Sequence, residues 1–114
     1  MELKKFFESV GGDYESVMTR LPGESMILKF VKKFLDDPSF SQLKEAFGEK
    51  DVHGAFLAVH TLKGTSASLG LDDLAREASA LTEKLRGASH FPEDANLEGV
   101  LRAYERTVSV IKEL

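Results

Sequence analysis

The 114-residue sequence contains no cysteine and no tryptophan, and only three prolines. Without cysteine there is no disulfide and no thiolate to hold a metal. No apolar run approaches the ~18 residues a membrane span requires. The first twelve residues, MELKKFFESVGG, lack the apolar stretch of a signal peptide. Positive charge is short as well: 15 lysines and arginines stand against 19 acids, a net charge of −4, which argues against a nucleic-acid surface. A glycine-rich phosphate-binding loop ending in Gly-Lys-Ser or Gly-Lys-Thr is missing, so no nucleotide site is expected. These absences leave a cytoplasmic protein with neither membrane nor nucleic acid among its partners as the expectation.

What is present has helical periodicity throughout. At this length the expectation is one domain, residues 1–114. Glu2 to Val10 and Tyr14 to Leu21 read as two short helices separated by Gly11-Gly12, with Asp13 as a cap. Pro22 suits the first turn of a longer helix. Ile27, Phe30, Val31 and Phe34 form its inner stripe, and Pro38 ends it near Asp37. Ser39 and Gln42 have the spacing of a capping box for a helix that buries Phe40, Leu43 and Phe47 and stops at Gly48. Asp51 caps the next helix, whose stripe is Val52, Ala55, Phe56, Val59, Leu62, Ser66 and Leu69, with Gly70 as its terminator. Asp72 and Asp73 favour the start of a helix whose stripe is Leu71, Leu74, Ala75, Ala78, Leu81 and Leu85. After the loop GASHFPEDANLEG, a last helix carries Leu97, Val100, Leu101, Tyr104, Val108 and Ile111 inward. The predicted fold is all-α: four helices of about 15 to 20 residues in an antiparallel up-and-down bundle, with short extra helices at the N-terminus.

One stretch, VHTLKGTSASLG from Val59 to Gly70, sets a glycine inside a helix one turn after a histidine. Such a glycine costs roughly 1 kcal/mol relative to alanine. At ~100° per residue, His60 lies about 120° from the centre of the inner stripe, beyond the edge of the buried side. Lys63 and Gly64 are its neighbours three and four residues on, so one helical turn brings the three together. An imidazole there can carry a bulky anionic group: Gly64 leaves space and Lys63 brings a cation. His53, Leu57 and Ala67 fall on the same outward face, where a partner would touch them, Phe56 straddles the border between the outer and inner faces, and His90 lies in the loop.

HTLKGTSASLG resembles the signature of the histidine-containing phosphotransfer (HPt) domain, His-x-Leu-Lys-Gly-x-Ser-x-x-Leu-Gly, and His60, Leu62, Lys63, Gly64, Ser66, Leu69 and Gly70 meet every fixed position. RLPGESMILKFVKKF, FGEKDVHGAFLAVH and LDDLAREASALTEKLRG resemble the family's flanking helices. The resemblance implies a phosphocarrier, not a self-sufficient enzyme. His60 would accept a phosphoryl group at Nε2 from a receiver-domain aspartyl-phosphate and pass it to another receiver. Lys63 would stabilise the phosphoryl oxygens and Gly64 would give clearance. The partners implied are receiver domains of response regulators or hybrid histidine kinases, which would supply the aspartate and Mg²⁺; the carrier itself would act as a monomer with no cofactor. Some family members orient the ring with a glutamine on the following helix; here that position is Thr82, with Glu83 beside it. Two readings compete. A metal-binding bundle would need His53 and His60 to face inward. A docking module without chemistry would use His60 only as a contact. The sequence also fits a domain cut from a hybrid or chemotaxis-type kinase, although a freestanding carrier is the preferred expectation.

Overall fold

Asp51 begins the longest helix by accepting the Gly54 N–H at 2.9 Å. That helix, Val52–Ser68, ends where Gly70 takes a positive φ of 75°. The Leu71 N–H donates to the Ser66 carbonyl at 2.9 Å and the Gly70 N–H to the Ala67 carbonyl at 3.2 Å. This paired closure satisfies carbonyls that a helix end otherwise leaves free. The computed structural model describes residues 1–114, and its regular elements are all helices: α1 Leu3–Ser9, α2 Tyr14–Arg20, α3 Glu24–Lys33, α4 Ser39–Gly48, α5 Val52–Ser68, α6 Asp72–Leu85 and α7 Glu98–Ile111. A 3-10 turn, Phe34–Asp36, extends α3. None of these helices is long and apolar enough to cross a membrane.

α5 lies at the centre, packed chiefly on α6 and α4, and α6 packs in turn on α7. Ala55, Val59, Leu62 and Ser66 of α5 are wholly buried. They meet a continuous core that includes Ile27, Val31, Leu43, Leu74, Ala78, Leu85 and Ile111. Each fully buried leucine or isoleucine contributes about 1.5–3 kcal/mol relative to exposure. Tyr104 of α7 stacks on Phe40 of α4 (centroids 4.1 Å, planes 15° apart) and also meets Phe34 at 6.0 Å, joining α4, the 3-10 turn and α7. Phe91 of the 88–97 loop lies against Phe47 at 4.6 Å.

Several boundaries differ from the sequence expectation. The helix expected to open at Pro22 starts at Glu24, because Leu21 is extended before the proline and Gly23 has φ 92°. The expected Ser39–Gln42 capping box does not form: Ser39 is already helical, and its N–H donates to Asp37 Oδ1 at 2.8 Å. Phe30, assigned to a buried stripe, is exposed, while Ala46 is buried and Phe47 only half-buried. The helices are also shorter than 15 to 20 residues, apart from α5 at 17; α3 and α4 have 10 each and α6 and α7 have 14. Pro22 with Gly23, and Pro38, cut the chain more finely than the apolar stripes do.

The two N-terminal helices brace the α5–α6 turn. The Asp73 N–H donates to the Val10 carbonyl at 2.9 Å. Arg20 donates to the Ala67 and Ser68 carbonyls, both at 3.4 Å, putting a cation where a helix C-terminus favours one. A Cβ on Gly70 would stand 2.5 Å from Val17 Cγ2 and 3.0 Å from Phe7 Cε1. Gly70→Ala should therefore lose about 2–4 kcal/mol, combining left-handed strain with overpacking. Urea unfolding checks this, and a variant within 0.5 kcal/mol of wild type, roughly the scatter of a neutral surface change, would contradict the packing described.

Candidate functional site

Burial of Val59 and Leu62 fixes the rotation of α5, and His60 consequently emerges on its open side. The His60 ring is solvent-exposed midway along the helix, Lys63 is half-buried and Gly64 is exposed. A Cβ built on Gly64 would meet nothing within 4 Å, so this glycine leaves open space beside the imidazole instead of serving a close helix contact. His60 and Gly64 border a groove of about 790 Å³ between α5 and the end of α3, walled opposite by Phe30, Lys33, Phe34 and Pro38. Phe30, out of place in a core stripe, has its position here.

Lys63 lies on the other flank, where it borders a smaller depression with Ala67, Asp72 and Arg76. Ala67 is thus exposed as expected but lies off the groove. Leu57 is 51% exposed and faces a third hollow with Gln42, Glu45 and Ala46 of α4. His53 is exposed, and His90 in the loop meets Ser89 Oγ through Nδ1 at 3.2 Å. Nowhere do three histidine or carboxylate side chains converge as metal ligands. The exposed His53 and His60 do not have the inward orientation that a bundle metal site uses.

The two candidates for orienting the ring separate. Thr82 is wholly buried and its hydroxyl donates to the Ala78 carbonyl at 2.7 Å. Its only proton is spent inside its own helix, so Thr82 does not orient the imidazole by donating to it; a β-branched hydroxyl one turn from a carbonyl often folds back in this way. Glu83 is exposed and pairs with Arg86, Oε2 to guanidinium at 2.9 Å. The hydrogen bond and charge of Arg86 hold the Glu83 carboxyl below its ordinary range, with smaller contributions of the same sign from Lys63 and His60. Glu83 therefore sits within the electrostatic reach of both site residues without bonding to the ring.

The sequence reading put Phe56 at the border of the two faces, close to His60, but did not identify the stacking of the two rings. Phe56 stacks on His60, centroids 5.8 Å apart and planes within 13°, and the Arg86 guanidinium lies 5.3 Å from the Phe56 centroid. The signal was present in the four-residue spacing from Phe56 to His60, which makes them neighbours on one helix face. Arg86 gave no such signal, because its approach depends on the packing of α6 against α5.

The pairing of Glu83 has a pH signature. A carboxyl held low in the folded state adds stability above its unfolded pKa, and that stability is lost as pH falls through the lowered folded value. Carbon-13 titration should give Glu83 a midpoint below the usual glutamate range, returned towards it by Arg86→Gln. An ordinary midpoint in the wild-type protein would contradict the pairing.

The model of the Hpt domain family matches residues 30–110, from the groove residue Phe30 through most of α7. No curated protein and no solved structure matches the chain. The matched segment covers well over half of the sequence and contains the whole of α4, α5 and α6. The chain belongs to the Hpt domain family, whose members are phosphocarriers of two-component signalling.

Proposed function

We propose that this chain is a phosphorelay carrier in which His60 takes a phosphoryl group from the aspartyl-phosphate of one receiver domain and gives it to another. The observation that carries this reading is the exposed imidazole beside the bare backbone of Gly64, at the rim of a groove large enough to admit part of a partner. In the accepting step, the Nε2 lone pair attacks phosphorus as the bond to the aspartyl oxygen breaks. The carboxylate leaves, and the imidazolium then loses its Nδ1 proton. The reverse sequence delivers the group to the second receiver.

A loose phosphoryl transition state spreads negative charge over its equatorial oxygens, so catalysis rests on alignment and on nearby cations. Lys63, three residues after His60 and half-buried, is the cation this chain supplies. The receiver brings the aspartate and Mg²⁺. Phe30, Phe34 and Pro38 supply an apolar wall for docking, with Lys33, Asp36 and Asp37 bringing charge of both signs to its rim. The helices α4 to α7 act as an up-and-down bundle that holds the ring in place, and the carrier works as a cytoplasmic monomer.

Incubation with a phosphorylated receiver should transfer acid-labile label to the wild-type protein and none to His60→Gln. Equal labelling of both would reject the site, and binding of the receiver without transfer to either would favour the docking-module reading. Gly64→Ala should fold at least as stably, because alanine gains up to about 1 kcal/mol in a helix. It should nevertheless accept phosphate about tenfold more slowly, since small misplacements at the reacting centre cost rate steeply. Lys63→Ala should slow acceptance by about a hundredfold, the loss typical of removing one charge-stabilising donor. Single-turnover kinetics reads both rates.

A further inference from the structure

The His60 ring is exposed on a helix, where two side-chain torsions would leave it free to swing, and the second of these is broad for an imidazole. A hydrogen bond to a ring nitrogen is one way to stop that motion. The protein makes no such bond at His60: Thr82 donates to its own helix and Glu83 bonds to Arg86. Beside the imidazole lies the ring of Phe56, parallel to it within 13° at a centroid distance of 5.8 Å. Phe56 is half-buried among core side chains, so its own base is anchored. Arg86 lies over the phenyl ring at 5.3 Å, and Glu83 holds the guanidinium at 2.9 Å. Carboxylate, guanidinium, phenyl and imidazole thus form a continuous chain of contacts from the end of α6 to the middle of α5.

We propose that Phe56 is a positioning residue for His60, and that the Arg86–Glu83 pair keeps Phe56 in place, so that the plane of the imidazole is set before any partner arrives. The ladder deepens the phosphoacceptor reading and rests on it for its functional meaning. Stacking fixes the plane of the ring and leaves both nitrogens unengaged. One lone pair stays free to attack phosphorus, and the proton on the other nitrogen stays free to leave for solvent. A guanidinium over an aromatic face attracts it electrostatically, and parallel offset rings attract one another in addition to the area they bury.

The test uses the whole chain with potassium phosphoramidate, a small donor that needs no receiver surface. The imidazole lone pair attacks phosphorus, the P–N bond of the donor breaks, and ammonia leaves with the proton released by the ring. The variants are Phe56→Leu, Phe56→Tyr and Arg86→Gln, with the exposed His53 and His90 as references within each sample. In wild type the ring protons of His60 should resonate upfield of those references, because the phenyl face lies against them. Phe56→Leu should abolish that displacement and slow His60 phosphorylation about fivefold, the factor that an aromatic pair is worth. Phe56→Tyr should restore both, and Arg86→Gln should produce a smaller loss of both. Rates at His53 and His90 should stay constant, which separates loss of orientation from loss of fold.

The proposal is overturned if Phe56→Leu keeps the wild-type displacement and rate, or if Phe56→Tyr is as slow as Phe56→Leu. Failure of the carrier reading would look different. The wild-type protein would show the ring displacement and react with phosphoramidate, yet accept nothing from any phosphorylated receiver.

Discussion

Burial of one strip of α5 governs everything else in the molecule. Ala55, Val59, Leu62 and Ser66 are sealed against α4 and α6, which leaves the helix one rotational setting. Turning it by a single residue would move every side chain about 100° around the axis and drive His60 towards the core. The hydroxyl of Ser66 fits this setting because it bonds back to the Leu62 carbonyl at 2.6 Å and needs no outside partner. No buried side-chain polar atom in the chain lacks a hydrogen bond, so the interior is electrically quiet and the charges lie outside. The outward direction of the imidazole is thus a property of the core, enforced from the opposite side of the helix.

The same burial explains why α5 tolerates Gly64. A helix held by packing does not depend on the propensity of each residue. Its ends are secured as well: Asp51 caps the start, Gly70 turns the end, and Arg20 reaches two of the last carbonyls. α1 and α2 are seven residues each, too short to be stable alone. They nevertheless bury Phe6, Phe7, Val10 and Val17 completely against the α5–α6 turn and its surroundings. They serve as a brace at one end of the helix that carries the site.

Much of this was legible in the sequence because apolar period and capping chemistry agreed. The Asp51 cap, the Gly70 terminator and the outward angle of His60 all follow from local spacing along one helix. The open space at Gly64 beside His60 could be read for the same reason. The misreadings share a different cause. Phe30 fits the arithmetic of a buried stripe, but whether that stripe meets a neighbour or an open groove is decided by tertiary packing. Whether Thr82 or Glu83 orients the ring was left open by their place on a helix, and the Thr82 hydroxyl is committed to Ala78. Arg86 reaches Phe56 across two helices, a contact that no single-helix spacing encodes. Local rules locate the face; only packing shows what lies opposite it.

The open ground around Gly64 is indifferent to who crosses it. A gap open to a partner would be open to solvent equally, and the His60 ring is exposed. A phosphorus–nitrogen bond held there would be perishable, with a lifetime set by hydrolysis and by the next encounter. The carrier would then store a message briefly, and its fidelity would depend on how soon a recipient collides with it.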